Sequence, residues 1–194
     1  MTTLYLHGFL SSPQSAKCRM LASIHERRGV AFLAPDLNRG PLEAARLIEE
    51  IASGIPSSSL TVAGSSLGGF YAAWLAHKRG CRAVLINPAV RPWEFVRAHL
   101  GESAEAPGGA VVTLSQAYAE QLESLDSPAP CGPERCLVLL STADEVLDWR
   151  EADRKYSGCA RILIEGGDHR ISHFEQYSEA VADYCCRGLN NPAA

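Results

Sequence analysis

The stretch Gly64-Ser65-Ser66-Leu67-Gly68-Gly69 follows the β-branched run Leu60-Thr61-Val62-Ala63 and opens an Ala-rich pattern with helical spacing. It reads G-x-S-x-G at a strand-to-helix junction, the context of a nucleophile elbow. Gly64 and Gly68 supply almost no side-chain bulk, so the chain can turn sharply. The central Ser66 is then held in a strained conformation with its hydroxyl exposed at the carboxyl end of a sheet. The frame is fixed, because centring on Ser65 would place Ala63 and Leu67 where glycines are needed. A chain that contains such a turn must build a sheet around it.

The flanking pattern is that of a parallel sheet covered by helices on both faces. Short apolar runs at 2–7, 30–34, 60–64, 83–87, 136–141 and 160–165 predict six strands. Helical patterns at about 16–28, 41–53, 67–79, 148–157 and 173–188 fill the intervals. Ser15 is a candidate N-cap, and Pro41 occupies a favourable first-turn position followed by Glu43. One interval breaks the alternation. Residues 88–135 carry two helical patterns, roughly 92–100 and 113–125, joined by Glu105-Ala106-Pro107-Gly108-Gly109. That is too much chain for one crossover helix, and a small cap over the carboxyl ends of the strands accommodates it. A crossover helix plus a surface helix is the other arrangement this interval allows.

A serine hydroxyl needs a base to accept its proton, and the base needs an acid to set its tautomer. Six histidines are available. His25 and His77 sit in amphipathic helical patterns beside Arg or Lys and read as solvated; His99 falls in the cap interval; His7 precedes a glycine and reads as ordering its loop. His169, in Glu165-Gly166-Gly167-Asp168-His169 after the last strand, can reach back to the elbow, with His173 as its rival one turn onward. Asp144 follows the preceding strand and is the expected acid. Its neighbour Glu145 should then face elsewhere, Asp168 adjoins the histidine too closely, and Asp148 and Asp153 read as helix positions. The order Ser, Asp, His is that of α/β hydrolases. Two backbone N–H groups are needed for a developing oxyanion: Leu67, next to the serine, and Phe9 after the first strand, with Leu10 second. G-x-S-x-G also occurs as an anion-binding turn, so it is the ordered joint appearance of all three groups that carries the catalytic reading.

Charge and cysteines narrow the alternatives. The formal net charge is −4 with no basic face, which argues against nucleic acid as a partner. No apolar run approaches a membrane span, and the opening segment lacks the basic and apolar regions of an export signal. Seven cysteines then read as reduced thiols in a cytoplasmic protein. Cys131 and Cys136 have C-x4-C spacing without a second pair, so an incidental loop pair is expected rather than a metal site.

Taken together, the stretches 5–17 (YLHGFLSSPQSAK), 64–72 (GSSLGGFYA), 87–92 (NPAVRP), 144–148 (DEVLD) and 165–169 (EGGDH) resemble the YqiA/YcfP-like bacterial esterases. The resemblance spans nearly the whole chain. It implies a compact α/β-hydrolase fold of about six mostly parallel strands, helices on both faces and a short cap insertion at about 88–135, in one domain over 1–194. It also implies Ser66 as nucleophile, Asp144 as acid and His169 as base, agreeing with the reading above. The implied substrates are small-molecule carboxylic esters or acyl thioesters, cleaved without a cofactor or metal. Arg170 departs from the family, where a smaller residue is usual; a cation there would act on the imidazole or on an anionic substrate. Trp93, Phe95, Val112, Leu114 and Tyr118 are the cap residues expected to line or cover an acyl pocket, with packing the cap down the alternative for several of them, and Arg91 and Arg97 are candidates for substrate phosphates, with ion pairing the alternative. A hydrolase-fold binding protein, or a carbon–carbon or amide hydrolase with the same triad, shares every one of these features.

Overall fold

The computed structural model describes residues 1–130 and 132–187. Cys131, and with it the C-x4-C pair, lies outside the described residues, as does the end of the helical pattern expected over 173–188.

The backbone resolves into a six-stranded, entirely parallel sheet. Its strands are β1 (Thr2–Leu6), β2 (Ala31–Leu33), β3 (Leu60–Ser65), β4 (Arg82–Ile86), β7 (Cys136–Ser141) and β8 (Ala160–Ile164), in the spatial order β2-β1-β3-β4-β7-β8. The central strands β3, β4 and β7 are buried along their whole length, as the unbroken apolar runs require of strands covered on both faces. Side-chain alternation sorts their residues into two cores. Leu4, Leu6, Val62, Leu85, Val138 and Leu140 pack into one cluster. Tyr5, Ala63, Val84, Ile86, Leu137 and Leu139 pack into the other, with Leu21 and Val181 from α1 (Ala16–Arg27) and α7 (Glu175–Cys186). Each fully buried Leu, Ile or Val among them contributes about 1.5–3 kcal/mol by leaving water.

The helices α2 (Pro41–Ser53) and α3 (Leu67–Arg79) cover the first face. α3 is apolar nearly all round and ends on Gly80, whose φ of 65° is the left-handed C-cap that a glycine adopts without strain. His25, expected to be solvated, is instead fully buried. Its Nδ1 bonds the Leu21 carbonyl at 2.7 Å, which requires a proton there, so Nε2 accepts the Thr3 hydroxyl at 2.9 Å.

Between β4 and β7 the chain forms α4 (Pro92–Ala98), β5 (Ser103–Glu105), β6 (Val111–Thr113) and α5 (Gln116–Ser124). The two helices match the expectation at their centres, but the connection is an antiparallel hairpin rather than a loose link. The β-branched Val111-Val112-Thr113 pairs back on 103–105 through a turn at Gly108 and Gly109, both at positive φ. That pairing claims Thr113 for the sheet and delays the helix until Ser115, whose Oγ caps it by accepting the Tyr118 N–H at 3.1 Å. α6 (Trp149–Lys155) joins β7 to β8.

Candidate active site

β3 and α3 meet at Ser66, which has φ 56° and ψ −121°. A non-glycine residue in that region stores about 1–3 kcal/mol of strain, and the surroundings impose it. The Ser66 N–H donates to the Ile86 carbonyl at 2.9 Å, and the Ser66 carbonyl accepts from Ala89 at 3.1 Å. The flanking glycines are spatial requirements. A Cβ on Gly64 would overlap the Gly68 carbonyl, and one on Gly68 would overlap the Leu6 carbonyl. Gly8, in the loop after β1, is packed so closely that a Cβ would stand 3.2 Å from the Ser66 Cβ.

Three loops bring partners to this serine. His169, on the turn after β8, places Nε2 at 3.0 Å from Ser66 Oγ. Its Nδ1 lies 2.7 Å from Asp144 Oδ2, on the loop after β7. The Asp144 Oδ1 accepts the Val146 and Leu147 N–H groups at 2.9 and 2.8 Å. Burial raises the Asp144 pKa, but the His169 hydrogen bond and these two amides outweigh it and hold the carboxyl below its ordinary value. An ionised Asp144 can only accept, so Nδ1 carries the imidazole proton and Nε2 offers its lone pair to the serine hydroxyl. The side chain of Asp144 is almost completely shielded from water, and that of His169 is partly exposed.

The other candidates are placed elsewhere. His173 is 78% exposed beside Glu175. Asp168 caps its own turn, accepting Ser172 N–H at 2.8 Å and Ser172 Oγ–H at 2.7 Å. Glu145 avoids the imidazole ring, as expected, but takes the His169 backbone N–H at 2.9 Å and so helps hold the loop. His7 orders its own loop: Nε2 accepts the Leu37 N–H at 2.9 Å, leaving Nδ1 to donate to the Gly8 carbonyl at 2.8 Å.

Phe9 and Leu67 both border the space beside Ser66. As the first residue of α3, Leu67 has an N–H without an intrahelical acceptor. No backbone carbonyl takes the Phe9 N–H among the described residues.

Two clefts open on Ser66. One, of about 120 Å³, is walled by Phe9, Leu67, Phe95, Leu114, Tyr118 and Leu122, with Val146 and Leu147 beyond. Phe95 and Tyr118 therefore both lie on a cleft wall beside Ser66. Trp93 does not: it is buried in the core, its ring edge-on to Phe70 at 6.2 Å between centroids. On α4, a residue two positions from Phe95 lies on the opposite side of the helix and meets the core. Val112 is likewise buried and absent from the cleft wall. Arg91 and Arg97 are engaged in ion pairs, Arg91 with Glu94 and Glu151 and Arg97 with Glu123. The second cleft, of about 500 Å³, lies on the His169 side.

Sequence reasoning assigned no role to Asn87. It sits at the end of β4 with φ 41°, buried, and its side chain joins two of the site-bearing loops. The Oδ1 accepts the Ser141 N–H at 2.8 Å, which fixes the amide orientation; Nδ2 donates to Ser141 Oγ and to the His169 carbonyl, both at 3.0 Å. The signal was present, since a polar residue ending a fully apolar strand next to a proline is out of pattern.

Comparison with known proteins places this geometry in context. The family model described as UPF0227, an uncharacterised protein family, matches residues 2–186. A UPF0227 protein of Vibrio parahaemolyticus is 22% identical over 188 residues, covering 93% of this chain and 97% of its own. Among solved structures, the mouse α/β hydrolase domain-containing protein 10 is similar with a TM-score of 0.72 at 16% identity, over 94% of this chain and 88% of that one. A monoacylglycerol lipase of Paleococcus ferrophilus is similar with a TM-score of 0.72 at 14% identity, over 95% of this chain and 93% of that one. The fold is thus that of the α/β hydrolases, in line with the resemblance carried by the sequence motifs.

Proposed function

The chain belongs to the family UPF0227, and from that premise we propose that it is a serine esterase. It hydrolyses carboxylic esters of short to medium acyl chains, with acyl thioesters within the same chemistry. The observation that carries this reading is the continuous relay from Asp144 Oδ2 through His169 to Ser66 Oγ, at 2.7 and 3.0 Å.

In this mechanism Ser66 Oγ attacks the acyl carbonyl while His169 Nε2 takes its proton. Asp144 holds the Nδ1–H and stabilises the imidazolium that forms. The carbonyl oxygen, now negative, is met by the Leu67 and Phe9 N–H groups, each such donor being worth about 3–4 kcal/mol of barrier. His169 returns the proton to the leaving oxygen as its bond to carbon breaks. A water, deprotonated by the same nitrogen, then attacks the acyl carbon, and Ser66 Oγ takes that proton back from His169 as its bond to the released acid breaks. No cofactor enters any step. The apolar cleft takes the acyl chain. The cleft is small, about 120 Å³, which suits short acyl chains, and the half-exposed Phe95 leaves its rim open to longer ones.

The reading includes action in a reducing, cytoplasmic setting, supported by cysteines that are free among the described residues. No described helix is long and apolar enough to cross a membrane.

Labelling with a fluorophosphonate probe, paired with p-nitrophenyl butyrate hydrolysis, tests the proposal. Wild type should label and turn over, and Ser66→Ala should do neither while keeping its thermal stability. Folded wild type that neither labels nor turns over sinks the esterase and leaves a binding protein on a hydrolase fold.

A further inference from the structure

The two clefts at Ser66 differ in chemistry and in their relation to the catalytic imidazole. The apolar cleft is bordered by Phe9 and Leu67 but not by His169. The larger one, of about 500 Å³, is bordered by Ser66, His169, Arg170, Ser11, Ser15 and Lys17. The direction of proton flow assigns their occupants. When the acyl–oxygen bond breaks, the electron pair goes to the leaving oxygen, which must collect the proton from His169 Nε2. The leaving group therefore lies on the His169 side and the acyl chain on the other. This step rests on the esterase reading above.

The leaving-group cleft carries two cations that are in no ion pair among the described residues, in contrast to the ion-paired Arg91 and Arg97. Lys17 is half-buried in its wall, with its ammonium donating to the Arg170 carbonyl at 2.5 Å and lying 5.9 Å from the Phe174 ring centroid. That carbonyl occupies one of three donors. Arg170 is exposed on the same rim. Two carboxylates are close by: Asp168, hydrogen-bonded by Ser172 and attracting Lys17, and Glu175, on the cleft lining beside His173. Burial lowers the Lys17 pKa, with Asp168 opposing and Arg170 adding to that effect, so this ammonium gains from an added anion.

We infer that the enzyme selects esters whose leaving group carries an anion, a carboxylate or a phosphate, held by Lys17 and Arg170 with hydroxyl support from the cleft serines. The acyl half is apolar and the leaving half anionic, which makes Lys17 and Arg170 specificity-determining residues.

The test compares two butyrate esters that differ only in one charge: 3-carboxyphenyl butyrate and its neutral counterpart 3-carbamoylphenyl butyrate. Wild type should favour the carboxylate in kcat/KM by about 3- to 10-fold, the range for two partly exposed charge contacts. The preference should sit mainly in KM and shrink as salt is raised. In Arg170→Gln, and further in Lys17→Gln with Arg170→Gln, the ratio of the two substrates should fall towards one. The ratio is internal to each variant, so a partial loss of folded protein cancels. A wild-type ratio at or below one, with the neutral ester still cleaved in a Ser66-dependent way, overturns this inference and leaves the esterase standing. Cleavage of neither ester overturns both.

Discussion

Asn87 Nδ2 donates to the backbone carbonyl of His169 at 3.0 Å, across 82 positions of the chain. Through its Oδ1 the same side chain accepts the Ser141 N–H at 2.8 Å, so the end of β4 is tied to the end of β7 and to the histidine loop together. Asn87→Ala should cost about 2–3 kcal/mol, because it leaves buried groups on Ser141 and His169 unpaired. It should also lower kcat roughly 10- to 100-fold by letting the imidazole drift, with KM little changed. Thermal unfolding and steady-state kinetics check this pair, and a kcat equal to wild type in the destabilised variant would confine Asn87 to stability.

Asp144 bears on both rate and acid stability. Asp144→Asn should lower kcat/KM on the order of 10³- to 10⁴-fold by losing control of the imidazole tautomer. Its carboxyl sits below the ordinary value of 3.8 in the fold, so near that pH the unfolded chain binds more protons and stability rises with pH. The contribution is complete above the unfolded value and disappears as pH falls through the folded one. The difference in unfolding midpoint between wild type and Asp144→Asn should therefore narrow from about pH 6 to about pH 3, whereas a constant difference contradicts the assignment.

Gly8 tests how tightly Ser66 is enclosed. A Cβ there stands 3.2 Å from both the Ser66 Cβ and the Ser65 carbonyl oxygen, closer than side chains normally approach, without meeting the sheet core. Gly8→Ala should displace the serine or the Phe9 loop by a few tenths of an ångström and reduce kcat/KM at least about tenfold. Fluorophosphonate labelling rate should fall in parallel. An unchanged labelling rate would show that the loop yields without disturbing Ser66.

Trp93 and Phe95, two positions apart on α4, should separate cleanly. Trp93→Ala empties a buried site against Phe70 and should cost about 3–5 kcal/mol, with the acyl-length preference retained in the folded fraction. Phe95→Ala removes a half-exposed cleft wall and should cost less than about 1 kcal/mol while shifting the preference towards longer acyl chains. A p-nitrophenyl ester series from acetate to octanoate reads both.

Local chemistry made most of the frame legible from the residues alone. Apolar runs of strand length have to be buried on both faces, and the glycines around Ser66 admit one backbone path, so the parallel sheet, its helices and the elbow follow from short-range pattern. Asp144 and His169 were also legible, because a side chain that is to meet Ser66 must stand on a loop at the carboxyl edge immediately after its strand. What pattern could not decide were contacts between segments distant in the chain. Whether 103–113 would pair as a hairpin, whether His25 would be solvated or bonded to Thr3, and which of Trp93 and Phe95 would face the cleft depend on the shape of the opposing surface. The same holds for Asn87, whose hydrogen bonds span 54 and 82 residues, and for Lys17 and Arg170, 153 residues apart yet on one wall of one cleft. Periodicity encodes which side of an element is apolar; only the packed chain determines what that side meets.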